Sequence, residues 1–333
     1  MQSSGALVLI TSCFYLLLTT HVLAVEEDPG FRLWLDGLRQ EALGAGISHP
    51  VLDSAMANLT EPLPRVLELD RKQPESTQSL ADYLAARVSD KRIANGRNML
   101  SEYPTWLGRV ERQYGVSRRI IVALWGIESN YGQNTGGFGV VPALATLAYD
   151  GRRGEYFRKE LLEALRILDA GHIPLAQMNG SWAGAMGQCQ FMPSSFRRFA
   201  VDGNGDGRKD IWTSVPDVLA STANYLNQAG WQQGKTWGRP VRLPKKFEAS
   251  RIGLDTRLPL SRWQALGVRQ INGGALPGRS LQASLIRPDG PGTQAYLVYD
   301  NFRVILAWNK STAFAVAVGT LSDRLATKTG KGR

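Results

Sequence analysis

Ser117-Arg118-Arg119-Ile120-Ile121-Val122-Ala123-Leu124-Trp125-Gly126-Ile127-Glu128-Ser129-Asn130-Tyr131-Gly132 is the stretch on which the fold turns. Ser117 suits a helix N-cap and Gly132 a helix stop. Between them Ile120, Ile121, Leu124, Trp125 and Ile127 recur at helical spacing. The stripe Ile121, Leu124, Glu128 therefore carries a carboxylate, at spacings of three and four, onto the face that should be apolar. Burial there disfavours the ionised form and raises the pKa, as a general acid near neutral pH requires. Position alone favours a structural glutamate, paired with an arginine or capping a neighbouring helix. The polar and aromatic helix end Ser129-Asn130-Tyr131 shifts the balance toward a site.

On the N-terminal side, Phe31, Leu35 and Leu38, then Val51, Leu52, Ala55 and Met56, mark two short helices, the second started by Pro50. Pro62 and Pro64 break the pattern. Residues 77–114 read as long amphipathic helices, with Leu80, Tyr83, Leu84 and Val88, and later Trp106, Val110 and Tyr114, on one side. On the C-terminal side, helices are expected over 155–170, 184–192, 193–200 and 215–229. After Pro240 the character changes: Pro and Gly clusters separate short apolar runs such as Gln294-Ala295-Tyr296-Leu297-Val298-Tyr299, a small strand-rich insert before a last helix over 312–325. The fold class expected is mostly α with a minor β part (α+β). Its divisions are a leader over 1–24, an N-terminal helical region over 25–115, a catalytic core over 116–240, and the insert with its closing helix over 241–333.

The chain has 333 residues, 43% of them apolar, and 9 Trp, which fits a globular protein with a well-buried core. Residues 6–20 are uncharged and apolar but short for a bilayer span, and Val22-Leu23-Ala24 follows, so the start reads as a signal peptide cut after Ala24. No Lys or Arg precedes the apolar run, which is atypical of such a leader. Ile10-Thr11-Ser12-Cys13 has the shape of a lipoprotein cleavage box, but the residues after it stay apolar; cleavage after Ala24 is the favoured reading, with lipid anchoring at Cys13 the alternative. The exported chain keeps one cysteine, Cys189, so no internal disulfide can form. It also keeps all 39 Lys and Arg against 29 acidic residues, a net +10 that suits an anionic wall polymer or lipid; export argues against nucleic acid.

A second motif is glycine-rich: Gly180-Ser181-Trp182-Ala183-Gly184-Ala185-Met186-Gly187-Gln188-Cys189-Gln190-Phe191-Met192-Pro193-Ser194-Ser195-Phe196. It offers close backbone approach with Ser, Gln and aromatic side chains suited to sugar. Together with Gly126-Ile127-Glu128-Ser129-Asn130-Tyr131-Gly132 and the Asp-rich loop that follows, it strongly resembles the membrane-bound lytic murein transglycosylase B family, over nearly the whole chain from Phe31. The resemblance implies a lysozyme-like helical core, a periplasmic monomer acting on peptidoglycan glycan strands, and Glu128 as the single catalytic carboxylate. Glu128 would protonate the oxygen between N-acetylmuramic acid and N-acetylglucosamine, then take the proton of the muramyl C6 hydroxyl, leaving a 1,6-anhydromuramyl end. The substrate's N-acetyl group would stand in for the second carboxylate of ordinary glycosidases. The substrate-binding candidates are Ser129, Asn130, Tyr131, Ser181, Gln190, Phe191 and Asn309, the last placed beside the glutamate by a Tyr-Asn-x-Ser-x-x-Tyr pattern. Here Trp308 and Phe314 stand where tyrosine is common, which removes hydroxyl hydrogen bonds and leaves stacking. An ordinary muramidase would need a second carboxylate, for which Asp150, Glu155 and Glu160 are the candidates; a non-catalytic wall-binding protein would not need Glu128 at all.

Asp202-Gly203-Asn204-Gly205-Asp206-Gly207-Arg208-Lys209-Asp210 reads as the front of an EF-hand loop, with oxygen ligands at Asp202, Asn204 and Asp206, a sharp turn at Gly207 and the Arg208 carbonyl. Thr213 stands where the usual bidentate glutamate would be. Asp217 is the expected replacement, and the resembling family has a comparable displaced carboxylate. A structural Ca²⁺ over 202–217 is the cofactor expected, with no organic cofactor. One Cys and two His, His49 and His172, at no ligand spacing argue against zinc.

Overall fold

The structure, a computed structural model, describes residues 28–72 and 78–326; the leader and Cys13 lie outside the described residues. The Arg118–Ser129 helix is the axis of the helical body, with every residue from Ile120 to Ile127 buried. The Thr312–Leu325, Asp90–Glu102, Val215–Gln228 and Pro104–Tyr114 helices pack around it. An amphipathic stripe describes a helix with one wet side; this one is enclosed on all sides, as expected of a helix apolar around most of its circumference.

The N-terminal region is helical throughout, in Pro29–Gly44, His49–Met56, Pro64–Arg71, Leu80–Arg87, Asp90–Glu102 and Pro104–Tyr114. Pro64 does not break a helix but opens one, since a proline at the first turn gives up only an amide that has no partner there. Breaks after Arg87 and Glu102 divide the expected long helices; Ser79 and Ser89 cap the starts of two of the pieces.

Two expectations in the middle third are corrected. Residues 184–192 are not helical: Gly184, Gly187 and Gln190 take positive φ, and Met186 and Phe191 pair across a tight antiparallel turn instead. The Val140–Asp150 helix, buried over most of its length, was not anticipated, because an almost continuous apolar run carries no period. It packs on Gly154–Asp169, and just before it the two-residue strand Phe138–Gly139 pairs antiparallel with Asn179–Gly180.

The insert is a five-stranded sheet of Gly238–Arg242, Gly253–Pro259, Arg269–Gln270, Gln282–Ile286 and Ala295–Val298, every adjacent pair antiparallel. Tyr296, Val298 and Ile286 face the helical body, while Ala295, Leu297 and Leu285 face a second core with Trp263 and Leu260 from the Leu260–Ala265 helix. Burial on both faces explains why Ala295–Val298 reads as a continuous apolar run. Among the described residues no single helix is long and apolar enough to cross a membrane.

Candidate active site

The end of the axial helix is built to present Glu128. Asn130 and Tyr131 both adopt left-handed backbone, with φ of 51° and 60°, a conformation L-residues reach at a cost. Tyr131 is held there by its hydroxyl, which donates to the Arg92 carbonyl at 2.8 Å, and by edge contact with Trp125 at 5.6 Å between ring centroids. Its ring lies over Gly126, where a Cβ would come within 2.6 Å of Tyr131 Cζ. Ser129 is fully buried; its hydroxyl donates to the Trp125 carbonyl and accepts from Gly132 N–H. Asn130 closes the helix and bonds Gln133. The sequence candidates Ser129 and Tyr131 thus face the protein interior and shape the turn instead of lining a substrate surface.

Glu128 is the first side chain after Ile120 with solvent access, half-buried at the end of an otherwise enclosed helix. Its Oε1 accepts a 2.6 Å hydrogen bond from the indole Nε1–H of Trp308. Burial pushes the carboxyl up from 4.5 to about 7; the Trp308 N–H and the positive charge of Arg87 pull against that rise. Tyr83, on the same helix as Arg87, is close enough to feel the Glu128 charge, and its phenol is raised by burial. The Arg87 guanidinium lies 5.7 Å from the centre of the Tyr83 ring. Near neutral pH the site therefore holds a carboxyl divided between acid and carboxylate, the condition for giving and taking one proton.

Trp308 corrects the sequence expectation most directly, since the position supplies a hydrogen bond to the carboxyl as well as a stacking ring. It sits among Tyr225 at 4.7 Å and Phe191 at 5.1 Å, and Phe199 adds to the cluster through Tyr225. Phe191, 2% exposed, is a wall of that cluster and not an open platform. Asn309 is exposed and turns its amide oxygen to the Ser311 N–H at 3.0 Å; no hydrogen bond joins it to Glu128 among the described residues. Phe314 is core.

In the second motif Ser181 Oγ accepts from the amides of Ala183 and Ala185, and Gln190 Nε2 donates to the carbonyls of Thr135 and Gly187. Both shape the loop beside the glutamate and remain partly exposed. A residue the sequence reading passed over, Gln188, links the parts: its Oε1 takes the Trp125 indole N–H at 2.8 Å and its Nε2 donates to the Trp212 carbonyl. Cys189 is buried against Thr222, and burial lifts its thiol to about 12, so it is inert.

The acidic loop folds around its own backbone. Asp202 accepts from the amides of Gly205, Asp206 and Gly207, which hold its carboxyl below the usual range, the Gly207 amide most. Asn204 Oδ1 accepts from Asp206 N–H, and Asp206 Oδ1 from Arg208 N–H. Asp217, the expected replacement for the bidentate glutamate, is fully buried and accepts from the amides of Gly203, Asn204 and Asp210 and from the Ser214 hydroxyl. It clamps the two ends of the loop. Burial raises its pKa against those donors. Among the described residues no group of three or more His, Cys, Asp or Glu converges. The donors offered by Asp202, Asn204, Asp206 and the Arg208 carbonyl are nonetheless all oxygen, which suits a hard cation, and Gly205 and Gly207 take the positive φ such a loop needs.

Residues 30–323 match the model of the transglycosylase SLT domain. The chain belongs to this transglycosylase family. It is 36% identical over 248 residues to the membrane-bound lytic murein transglycosylase B of Escherichia coli (strain K12), an alignment taking in 72% of this chain and 65% of that protein. Among solved structures it is similar to SltB3 from Pseudomonas aeruginosa in complex with NAG-anhNAM-pentapeptide, at 47% identity and a TM-score of 0.87, over 90% of this chain and 80% of that one. It is also similar to the Escherichia coli lytic transglycosylase Slt35 in complex with calcium, at 31% identity and a TM-score of 0.75, over 90% of this chain and 93% of the other. The lysozyme-like helical fold expected from the sequence is shared with these lytic transglycosylases.

In this transglycosylase chain the three alternative carboxylates are otherwise engaged or remote from a partner role. Glu160 is buried and accepts from Ser194 N–H at 2.8 Å and its hydroxyl at 2.7 Å, starting the Pro193–Phe199 helix. Asp150 pairs with Arg71 at 3.1 Å, and Glu155 is exposed in the first turn of Gly154–Asp169.

Proposed function

We propose that this chain is a lytic transglycosylase that cleaves the bond between N-acetylmuramic acid and N-acetylglucosamine in peptidoglycan strands, with Glu128 as acid and then base. The observation that carries the reading is Glu128 itself: one carboxyl, lifted to about 7 by burial, at the mouth of an otherwise apolar helix. In the first step its proton passes to the bridging oxygen as the bond to the anomeric carbon breaks. In the second the muramyl C6 oxygen bonds to that carbon, and its proton returns to Glu128. Water is not consumed, and a second carboxylate about 5–9.5 Å away, as ordinary glycosidases need, is not required. The NAG-anhNAM-pentapeptide bound by the Pseudomonas relative has the anhydro end this reaction would leave.

Of the sequence candidates, Asn130, Ser181, Gln190 and Asn309 keep solvent exposure and are assigned here to substrate. The +10 charge suits an anionic wall polymer, and the leader read over 1–24 suits periplasmic action. We assign the 202–217 loop to a structural Ca²⁺ held by Asp202, Asn204, Asp206 and the Arg208 carbonyl, away from the bond being cut, with Asp217 clamping the loop. Mass analysis of products from purified peptidoglycan tests the reaction: anhydromuramyl ends support it, whereas reducing ends indicate a hydrolase and no products a wall-binding protein. A Glu128→Gln protein cutting at the native rate would remove Glu128 from the mechanism.

A further inference from the structure

The bond from Trp308 to Glu128 crosses 180 residues of sequence, and its chemistry differs from that of any hydroxyl donor. An indole N–H only donates. Whichever protonation state Glu128 holds, the oxygen facing Trp308 must accept, and because a carboxyl hydroxyl oxygen is a much weaker acceptor than its carbonyl oxygen, a proton on Oε1 is disfavoured. A tyrosine hydroxyl in that place could rotate and accept, leaving the proton free to sit on either oxygen.

The indole is itself held from several sides. Tyr225, on Val215–Gln228, packs its ring at a tilt with centroids 4.7 Å apart and donates its hydroxyl to the Ala307 carbonyl at 2.7 Å, next to Trp308 in the chain. Phe191 meets the ring at 5.1 Å from the glycine-rich motif, and Phe199 supports Tyr225 at 4.3 Å. Two segments distant from Trp308 in sequence, with Phe199 behind one of them, thus fix one N–H vector.

We propose that Trp308 is a positioning residue that keeps the working proton of Glu128 on Oε2. This rests on the reading of Glu128 as the acid and base. The Oε2 proton goes to the bridging oxygen as the anomeric C–O bond breaks; Oε2 then accepts the proton of the C6 hydroxyl as the new C–O bond forms, and the carboxyl ends as it began. The charged and titratable groups acting on Glu128 are Arg87 and Tyr83 from Leu80–Arg87 and the Cys189 thiol from the glycine-rich loop. Asp323 and Arg324, on the packed Thr312–Leu325 helix, lie at its far end, where Asp323 feels Arg119 and Arg239.

Trp308→Phe keeps a six-membered ring for Tyr225 and Phe191 and removes the N–H together with the five-membered ring that carries it. The expected result is a fall of roughly tenfold in kcat with KM changed less than about twofold, because the lost bond acts on the reacting group and not on substrate grip. The N–H favours the carboxylate, so its loss moves the alkaline limb of kcat/KM upward by about one pH unit. Trp308→Tyr, which can donate, should recover part of both effects. A second measurement uses the native fold: with ¹⁵N-labelled tryptophan, one indole N–H resonance, assigned by its absence in Trp308→Tyr, should titrate with a midpoint near 7 and stay silent in Glu128→Gln. A Trp308→Phe enzyme with native kcat and pH profile, or a Trp308 indole that does not titrate, overturns the proposal. If Glu128→Gln is inactive while Trp308→Phe is native, only the role of Trp308 falls; if Glu128→Gln is active, the reading beneath it falls as well.

Discussion

Replacing Glu128 by Gln should stabilise the protein at alkaline pH while destroying its activity. Folding lifts this carboxyl from 4.5 to about 7. Between those values the folded protein holds a proton that the unfolded chain has released. The stability contributed by the neutral carboxyl is therefore complete below 4.5 and lost as pH rises through about 7. A gap of about 2.5 pH units at about 1.36 kcal/mol per pH unit is about 3.4 kcal/mol. Residual solvent access to a half-buried group lowers this to about 2–3 kcal/mol. Gln keeps the oxygen that accepts from Trp308 and cannot ionise, so it escapes the penalty. Urea denaturation of both proteins from pH 4.5 to 8.5 should show curves that coincide at the acid end and separate by about 2–3 kcal/mol above pH 7.5, Glu128→Gln the more stable, because other carboxylates cancel in the difference. Its activity should fall about 10²–10⁴-fold. Parallel curves, or a variant less stable at pH 8, would refute a burial-raised carboxyl at this position.

The other consequences concern the scaffold. Asp217→Ala strips the acceptor from three backbone amides and should lower unfolding free energy by roughly 2–4 kcal/mol, read as a reduced denaturant midpoint; an unchanged midpoint would mean the clamp is idle. Calcium at about 100 times its dissociation constant should raise stability by about 2.7 kcal/mol in the native protein and not in Asp202→Ala, measured by thermal unfolding with and without chelator. Glu160→Ala should cost about 1–2 kcal/mol through the lost cap on Ser194 and leave the pH dependence of cleavage intact, whereas a vanished limb in the pH profile would make Glu160 a second catalytic carboxylate. Gly126→Ala forces Tyr131 off the helix end and should lower stability by about 1–3 kcal/mol together with kcat.

What the sequence makes legible follows the range over which its signals act. The axial helix was readable because Ile120 to Ile127 are contiguous and Ser117 and Gly132 bracket them. Its true end was not, since Asn130 and Tyr131 turn left-handed only because Arg92 and Trp125 wait for the Tyr131 side chain. The 184–192 segment shows the reverse failure. Its small residues allow a helix locally, yet Gly184, Gly187 and Gln190 adopt positive φ to bring the backbone against neighbouring segments, a demand set by tertiary packing.

The candidate site divides along the same line. Glu128 announced itself by standing on the wrong face of a periodic pattern, a local signal. Trp308 did not, because the pattern around it pointed to Asn309 as the neighbour of the glutamate, and an aromatic residue standing for a tyrosine gives no local sign that its indole N–H will meet a carboxyl 180 residues earlier. The same holds for Gln188, which joins Trp125 to the segment after the acidic loop. Both are donors or acceptors whose worth depends on partners brought in from elsewhere, and such groups look like ordinary aromatic or amide residues until the chain is folded. Ser129 and Tyr131 differ from their expected place for the complementary reason. Polar atoms beside a carboxylate suggest ligand contacts, but here each polar atom is already committed to a backbone group. The glutamate is then the exception that matters: of the residues closing this helix, it alone carries a carboxylate oxygen, Oε2, for which the fold supplies no hydrogen-bond partner among the described residues, and that oxygen is the one the proposed proton exchange would use.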